Sequence, residues 1–205
     1  MYRKFGKRFL DILLSGCIIL GLSWLYLLVA LAIVIDDPGP VFFQQKRVGI
    51  HKSHFMILKF RTMKMNTPRD TPTHLLENPQ QYITRVGRFL RKTSIDELPQ
   101  IFQIFTGKMS FVGPRPALWN QFDLIAERDK YGANDMVPGL TGWAQINGRD
   151  ELPIDVKARF DGEYVEKFSF RFDCKCFFGT FLSVLRHEGV VEGGTGQLEK
   201  EKAEK

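Results

Sequence analysis

From Ile12 to Ile35 the chain reads ILLSGCIILGLSWLYLLVALAIVI, with no side chain charged at neutral pH. As a helix rising ~1.5 Å per residue, this run exceeds the ~30 Å hydrocarbon core of a bilayer, so a membrane-bound segment is predicted first. A secretory signal peptide fits poorly. Its apolar stretch runs about 7–15 residues before a small-residue cleavage site, whereas this one ends at Asp36-Asp37-Pro38-Gly39-Pro40. Basic residues flank the run almost evenly, with Arg3, Lys4, Lys7 and Arg8 before it and Lys46, Arg47 and Lys52 after it. The Lys and Arg asymmetry that orients a spanning helix is therefore lacking. Two arrangements stay open: a straight span, and a helix that enters, bends near Gly21 and Ser23 and returns with both basic clusters on one side.

Beyond this segment the composition is that of a folded chain. Of 205 residues, 44% are apolar and 25% charged, which is too apolar for disorder and enough for one compact unit with a real core. The 18 Phe residues exceed what simple core patterns absorb and again point to a membrane surface. Three cysteines, Cys17, Cys174 and Cys176, are odd in number, and the C-x-C pair is too close for usual zinc or redox spacings. A reduced compartment without zinc is expected. The net charge of +6 suits an acidic leaflet, but the basic residues are dispersed and interleaved with acids, so no nucleic-acid partner is expected.

Val41–Arg47 and Phe55–Met63 read as strands of a hairpin-like pair joined through Gly49 and Ile50, with Lys59 and Arg61 on one face of the second. Residues 66–80 have loop composition. Leu98, Ile101, Phe102 and Phe105 form a helical apolar stripe, and further helices are predicted over Ile154–Lys167 and Asp173–Arg186, the last carrying Phe177, Phe178 and Phe181. Gln197–Lys205 alternates Glu and Lys and reads as a solvated tail. The expected architecture is α+β and mostly helical: a membrane segment over 1–40, a catalytic unit with interfacial helices and short hairpins over 41–196, and the tail over 197–205.

The densest set of unlike charges is RVGRFLRKTSIDELPQ, where Arg85, Arg88, Arg91 and Lys92 run into Asp96-Glu97. Asp96 as an N-cap would put Pro99 in the first helical turn, where its missing N–H costs nothing. The same position favours an ionised carboxylate beside an anionic substrate, because a helix N-terminus attracts negative charge. Phe111-Val112-Gly113-Pro114-Arg115-Pro116 holds Arg115 between two prolines, on a backbone stiff enough to aim a guanidinium at phosphate. Pro138–Asp150 combines glycines, an Asn147-Gly148 hairpin signal, Trp143 and Arg149. Each feature taken singly reads as a cap, a turn or a wet strand face. Together they supply paired carboxylates, posed cations and a Gly-rich loop, as handling of a diphosphate requires.

These segments resemble the monotopic phosphoglycosyl transferases, the bacterial sugar transferase family. The resemblance rests on the apolar N-terminal run, Lys59-Phe60-Arg61-Thr62-Met63, Ser94-Ile95-Asp96-Glu97-Leu98-Pro99-Gln100, Gly113-Pro114-Arg115-Pro116, and Pro138–Gly142 through Gln145–Arg149, and covers nearly the whole chain. It implies an enzyme on the cytoplasmic face of the bacterial inner membrane, a re-entrant membrane helix, Mg²⁺ dependence, and transfer of a sugar 1-phosphate from a UDP-sugar to polyprenol phosphate, undecaprenyl phosphate being the expected acceptor. Members commonly carry Ser-Pro at the bend; here the pair is Ser23-Trp24.

By that resemblance Asp96 is the nucleophile, Glu97 and Asp96 hold the metal, and UMP is released from a covalent aspartyl phosphosugar. Arg91 and Arg115 are assigned to phosphate, with Lys59 and Arg61 in support. Thr141, Asn147 and Arg149 fall on the nucleotide-sugar side, and Asp161 is placed within reach of the site from the following helix. The resemblance, and not these side chains, implies an N-acetylated hexosamine or a deoxy derivative carried on UDP. Two other functions suit the same features: a membrane-tethered glycosyl transferase that releases UDP, and a non-catalytic scaffold on acidic lipid.

Overall fold

A computed structural model describes residues 2–67, 79–148 and 152–186. Most of the predicted 66–80 loop, the 197–205 tail, Arg149 and the side chain of Phe181 lie outside the described residues. The architecture is α+β and mostly helical, as expected.

The apolar run forms two helices, α1 (Lys7–Gly21) and α2 (Ser23–Asp36), which meet at Leu22 at an angle of 60°. No single helix among the described residues is long and apolar enough to cross a membrane, whereas the bent pair together has the length and composition. The run is thus bent and not one straight helix. The break falls where sequence reading put it, without a proline: the Ser23 hydroxyl donates to Leu20 O at 3.0 Å, a local bond of the kind that bends helices. Leu20, Leu27, Leu31 and Ile35 stay exposed along the pair.

Charged groups tie both helices to the rest of the chain. The Lys7 ammonium lies 2.6 Å from Asp173. Arg8 donates to the carbonyls of Ile104 and Phe105 at 2.6 Å, satisfying the C-terminal end of α4 (Gln100–Thr106). At the far end of α2, the Asp36 carboxylate accepts the Val86 N–H at 2.8 Å, and Asp37 pairs with Arg61.

Strands β1 (Phe42–Val48) and β2 (His54–Phe60) form the predicted hairpin, in register from Phe42 opposite Phe60 to Val48 opposite His54. The turn is longer than the sequence suggested, with His51 and Lys52 both in the left-handed region. α3 (Arg85–Thr93) then packs back on the chain just after β2. Gly87 makes this possible, because any Cβ there would collide with the Thr62 carbonyl oxygen. After α4 come β3 (Ser110–Val112), α5 (Phe122–Asp129), β4 (Gly139–Thr141), α6 (Trp143–Ile146), α7 (Ile154–Lys167) and α8 (Phe170–Arg186).

α7 has the predicted boundaries and α8 begins three residues early. The Asn147-Gly148 hairpin is not formed. β4 instead pairs in parallel with β3, and Trp143–Ile146 coils into a short helix that ends at Asn147, because the strand's partner lies about 30 residues back and not in the next segment.

Three buried clusters hold these elements. Ile57, Ile101, Ile104, Phe111, Val112, Tyr164 and Cys176 join β2, α4, β3, α7 and α8; Val29, Ile33, Phe60 and Leu90 join α2, β2 and α3; Val48, Ala117, Leu124 and Ala158 join β1 to α5 and α7. Ile101 and Ile104 face inward on α4, whereas Phe102 and Phe105 turn toward the N-terminal helices, Phe102 against Tyr26 and Phe105 against Gly16. The predicted stripe is thus divided between the core and the N-terminal helices. The turn between α3 and α4 straddles the first two clusters, since Ile95 and Leu98 pack on the second while the following helix fills the first.

Candidate active site

α3 opens with Thr84, whose hydroxyl oxygen accepts the Gly87 N–H at 2.8 Å, and it closes at Ser94 in the left-handed conformation. Ser94 reverses the chain into a single 3₁₀ turn, Ile95–Glu97, before α4 begins. Asp96 is therefore not the N-cap of α4. Pro99 occupies that flanking position, and the Asp96 carboxylate accepts no helical N–H. The bland capping explanation of this acid fails, and a buried carboxylate is left uncommitted.

Asp96 is buried, and among the described residues no hydrogen bond holds its carboxylate; the only cationic group within 4 Å is the Lys59 ammonium, at 3.9 Å from Oδ2. Glu97 contrasts sharply with its neighbour. Its Oε1 accepts Lys59 Nζ at 2.7 Å and an Arg115 guanidinium nitrogen at 3.0 Å. Burial works against its ionisation, but Arg115 and Lys59 outweigh burial and hold Glu97 well below the usual carboxylate range. For Asp96 burial wins, with a contribution from Glu97, against Lys59, Arg91 and Arg115, and its pKa is pushed up to about 6. At neutral pH Asp96 is thus mostly ionised yet more basic than a free carboxylate, while Glu97 is anchored and permanently charged.

Regular elements and backbone pairing pose the cations. Lys59 projects from β2, and Arg91 from the last turn of α3, where its Nε donates to the Thr62 hydroxyl at 2.9 Å. Arg115 sits in a segment clamped along the β3–β4 edge: Gly113 N donates to Thr141 O at 2.8 Å and Gly139 N to Pro114 O at 2.9 Å. A Cβ at Gly113 would overlap the Val137 carbonyl oxygen and crowd the Gly139 backbone, so glycine is required for this approach.

Asp96, Glu97, Lys59, Arg91 and Arg115 are therefore brought together. Other predicted site residues are not. Arg61 lies just beyond β2, buried and paired with Asp37 rather than gathered with Lys59 around Asp96; the two-residue alternation with Lys59 ended with the strand. Asp161 is completely buried, with Oδ2 2.6 and 2.8 Å from the Arg128 guanidinium, so its carboxylate is engaged there and not beside Asp96. Its partner on α5 was invisible in the sequence because the two are 33 positions apart.

Thr141 shares a hydroxyl–hydroxyl contact with Thr180 and serves the site through its backbone, and the Asn147 amide donates to Trp143 O at 2.7 Å. Trp143 is packed under Lys175 at 4.5 Å and bonds Glu163 at 3.1 Å. Missed from sequence were Thr62, which holds Arg91, and the Asp36–Asp37 pair; two acids at the end of an apolar helix, where the dipole disfavours them, were the available signal.

The sequence model of the bacterial sugar transferase family matches residues 2–187. The chain belongs to that family. An uncharacterized sugar transferase of Bacillus subtilis, EpsL, is 38% identical over 187 residues, covering 91% of this chain and 90% of that protein. A UDP-glucose:undecaprenyl-phosphate glucose-1-phosphate transferase of Escherichia coli is also 38% identical over 187 residues, covering 85% of this chain but 39% of its own length. A UDP-N-acetylgalactosamine-undecaprenyl-phosphate N-acetylgalactosaminephosphotransferase of Aeromonas hydrophila is 37% identical over 193 residues, covering 91% of this chain and 45% of its own length. Against the last two, this bacterial sugar transferase corresponds to less than half of a longer chain.

Proposed function

We propose that the protein transfers a sugar 1-phosphate from a UDP-sugar to polyprenol phosphate through a covalent phosphosugar on Asp96. The observation that carries this reading is the division of labour between adjacent acids: Asp96 is buried, basic and unbonded, whereas Glu97 is pinned by Lys59 and Arg115. An Asp96 oxygen attacks the β-phosphorus, the bond from that phosphorus to the bridging oxygen breaks, and UMP leaves with the oxygen. A phosphate oxygen of the polyprenol phosphate then attacks the same phosphorus, freeing the Asp96 carboxylate. Lys59, Arg91 and Arg115 surround the reaction with fixed positive charge, which lowers the repulsion between an anionic nucleophile and an anionic donor. Relatives named as undecaprenyl-phosphate sugar phosphotransferases support the acceptor class.

Mg²⁺ fits the residues present. Both cations fall on Oε1 of Glu97, which leaves Oε2 and the Asp96 carboxylate as hard oxygen donors. Among the described residues no cluster of three His, Cys, Asp or Glu forms a protein-only cage. Mg²⁺ is ordinarily held by one or two carboxylates together with substrate phosphates. Bound there, it would supply charge neutralisation of the diphosphate.

The bent α1–α2 pair is read as a re-entrant membrane segment that keeps both ends on the cytoplasmic face of the bacterial inner membrane, where the site meets an acceptor whose tail stays in the bilayer. The donor is assigned to an N-acetylated hexosamine or deoxy sugar on UDP. Incubation with a panel of UDP-sugars in the absence of acceptor tests the reading: it requires release of UMP and a mass increase of one phosphosugar on the Asp96 peptide. Release of UDP, or product formation by Asp96→Asn, rejects it.

A further inference from the structure

An apolar helix that ends in two consecutive carboxylates is unusual, because the C-terminal end of the helix dipole disfavours negative charge. Asp36 and Asp37 close α2 in this way, and each is used outside its own helix. Asp36 Oδ2 accepts the N–H of Val86 at 2.8 Å, one of the donors that α3 cannot satisfy within itself, beside the bond that Thr84 makes to Gly87. Asp37 accepts the N–H of Met65 at 3.0 Å and pairs with Arg61, whose side chain is 7% exposed.

These two partners lead directly to the active site. Arg61 follows β2, which carries Lys59 two residues earlier. α3 carries Arg91 and runs into the Asp96 turn. The elements that pose two of the site's cations are thus fastened to adjacent residues at the end of the helix whose other side exposes Leu27, Leu28 and Leu31.

Resting on the proposed function, we infer that Asp36 and Asp37 are positioning residues that set the height of the Asp96 site relative to the bilayer, and so govern transfer to the membrane-embedded acceptor rather than attack on the soluble donor. Neither touches substrate. Loosening the clamp lets the lipid-facing helix shift against a catalytic unit that remains assembled through Glu97, Lys59 and Arg115.

The full chain in lipid nanodiscs separates the two steps. With UDP-sugar alone, Asp36→Ala is expected to form the Asp96 adduct and release UMP within about 2-fold of the parent rate. Transfer from the adduct to long-chain polyprenol phosphate in the disc is expected to slow at least ~10-fold, while a short, water-soluble polyprenyl phosphate is used at near the parent rate. Asp36→Asn, which keeps an oxygen for the Val86 N–H, should restore transfer to the long-chain acceptor. Asp37→Asn serves in the same assays if Asp36→Ala fails to fold.

Equal losses in both steps, equal losses with both acceptors, or no loss at all overturns the inference. A parent enzyme that never acquires the adduct overturns the proposed function, and this inference with it.

Discussion

The Lys59 ammonium lies 2.7 Å from Glu97 Oε1 and 3.9 Å from Asp96 Oδ2, so one cation on β2 is shared unequally between adjacent carboxylates. This inequality gives the two acids different chemistry. It also makes Lys59 a more demanding site residue than its place on a strand face suggested. Lys59→Met is expected to lower turnover by about 10²-fold with the fold retained, because a preorganised cation is lost from the charge-developing centre. Lys59→Arg should recover part of that loss. UMP release by the purified variants checks both, and full activity of Lys59→Met removes this residue from the site.

The raised Asp96 pKa makes a stability prediction with a definite sign. Burial moves this group from 3.8 up to about 6, so the folded chain holds the proton more tightly than the unfolded one. Its contribution to stability is full below about pH 4 and is lost as pH rises through 6. Asp96→Asn cannot ionise, and in magnesium-free detergent it should exceed the parent in stability by about 3 kcal/mol at pH 8, at 1.36 kcal/mol per unit. The gap should close near pH 4. Denaturant unfolding at both pH values measures it, and a pH-independent gap contradicts the assignment.

Arg128 and Asp161 form a buried pair between α5 and α7. Asp161→Asn leaves Arg128 buried without a counter-charge and should cost about 3–5 kcal/mol, whereas Arg128→Met combined with Asp161→Leu should recover much of it. In the folded double variant the KM for UDP-sugar is expected to stay at the parent value. A raised KM with unchanged stability would return Asp161 to the substrate site.

Gly87→Ala drives a methyl group into the Thr62 carbonyl, and Thr62 also holds Arg91. The collision is expected to cost about 2 kcal/mol, or roughly 4–8 °C in Tm for a chain of this size, and to reduce activity through displacement of Arg91. Differential scanning measurements beside UMP-release assays decide it; an unchanged Tm would mean that α3 and the segment after β2 are not in backbone contact.

Much of the site was legible because its chemistry is compressed into short segments. Asp96-Glu97 are adjacent, Arg115 is framed by prolines, and Lys59 lies inside a strand whose existence the alternation reveals. Arg61 was misplaced for the opposite reason: strand alternation holds only while the strand lasts, and Phe60 is its final residue. The Asn147-Gly148 signal failed because a strong local turn preference yielded to the parallel pairing of β4 with β3.

The sequence by itself determined that the apolar run must break or span, where the hairpin and the long helices lie, which acids and bases are candidates for the chemistry, and which family the motifs resemble. These follow from local properties: hydrophobic length, periodicity and residue type over a few positions. Only the tertiary structure decided that Glu97 and not Asp96 takes the cations, that Asp96 caps no helix, that Arg61 and Asp161 serve the fold, and that Asp36 and Asp37 bind the apolar helix to the catalytic elements. Each depends on which of several equivalent charges meet across 18 to 50 positions of chain, and the spacing of residues does not encode that choice.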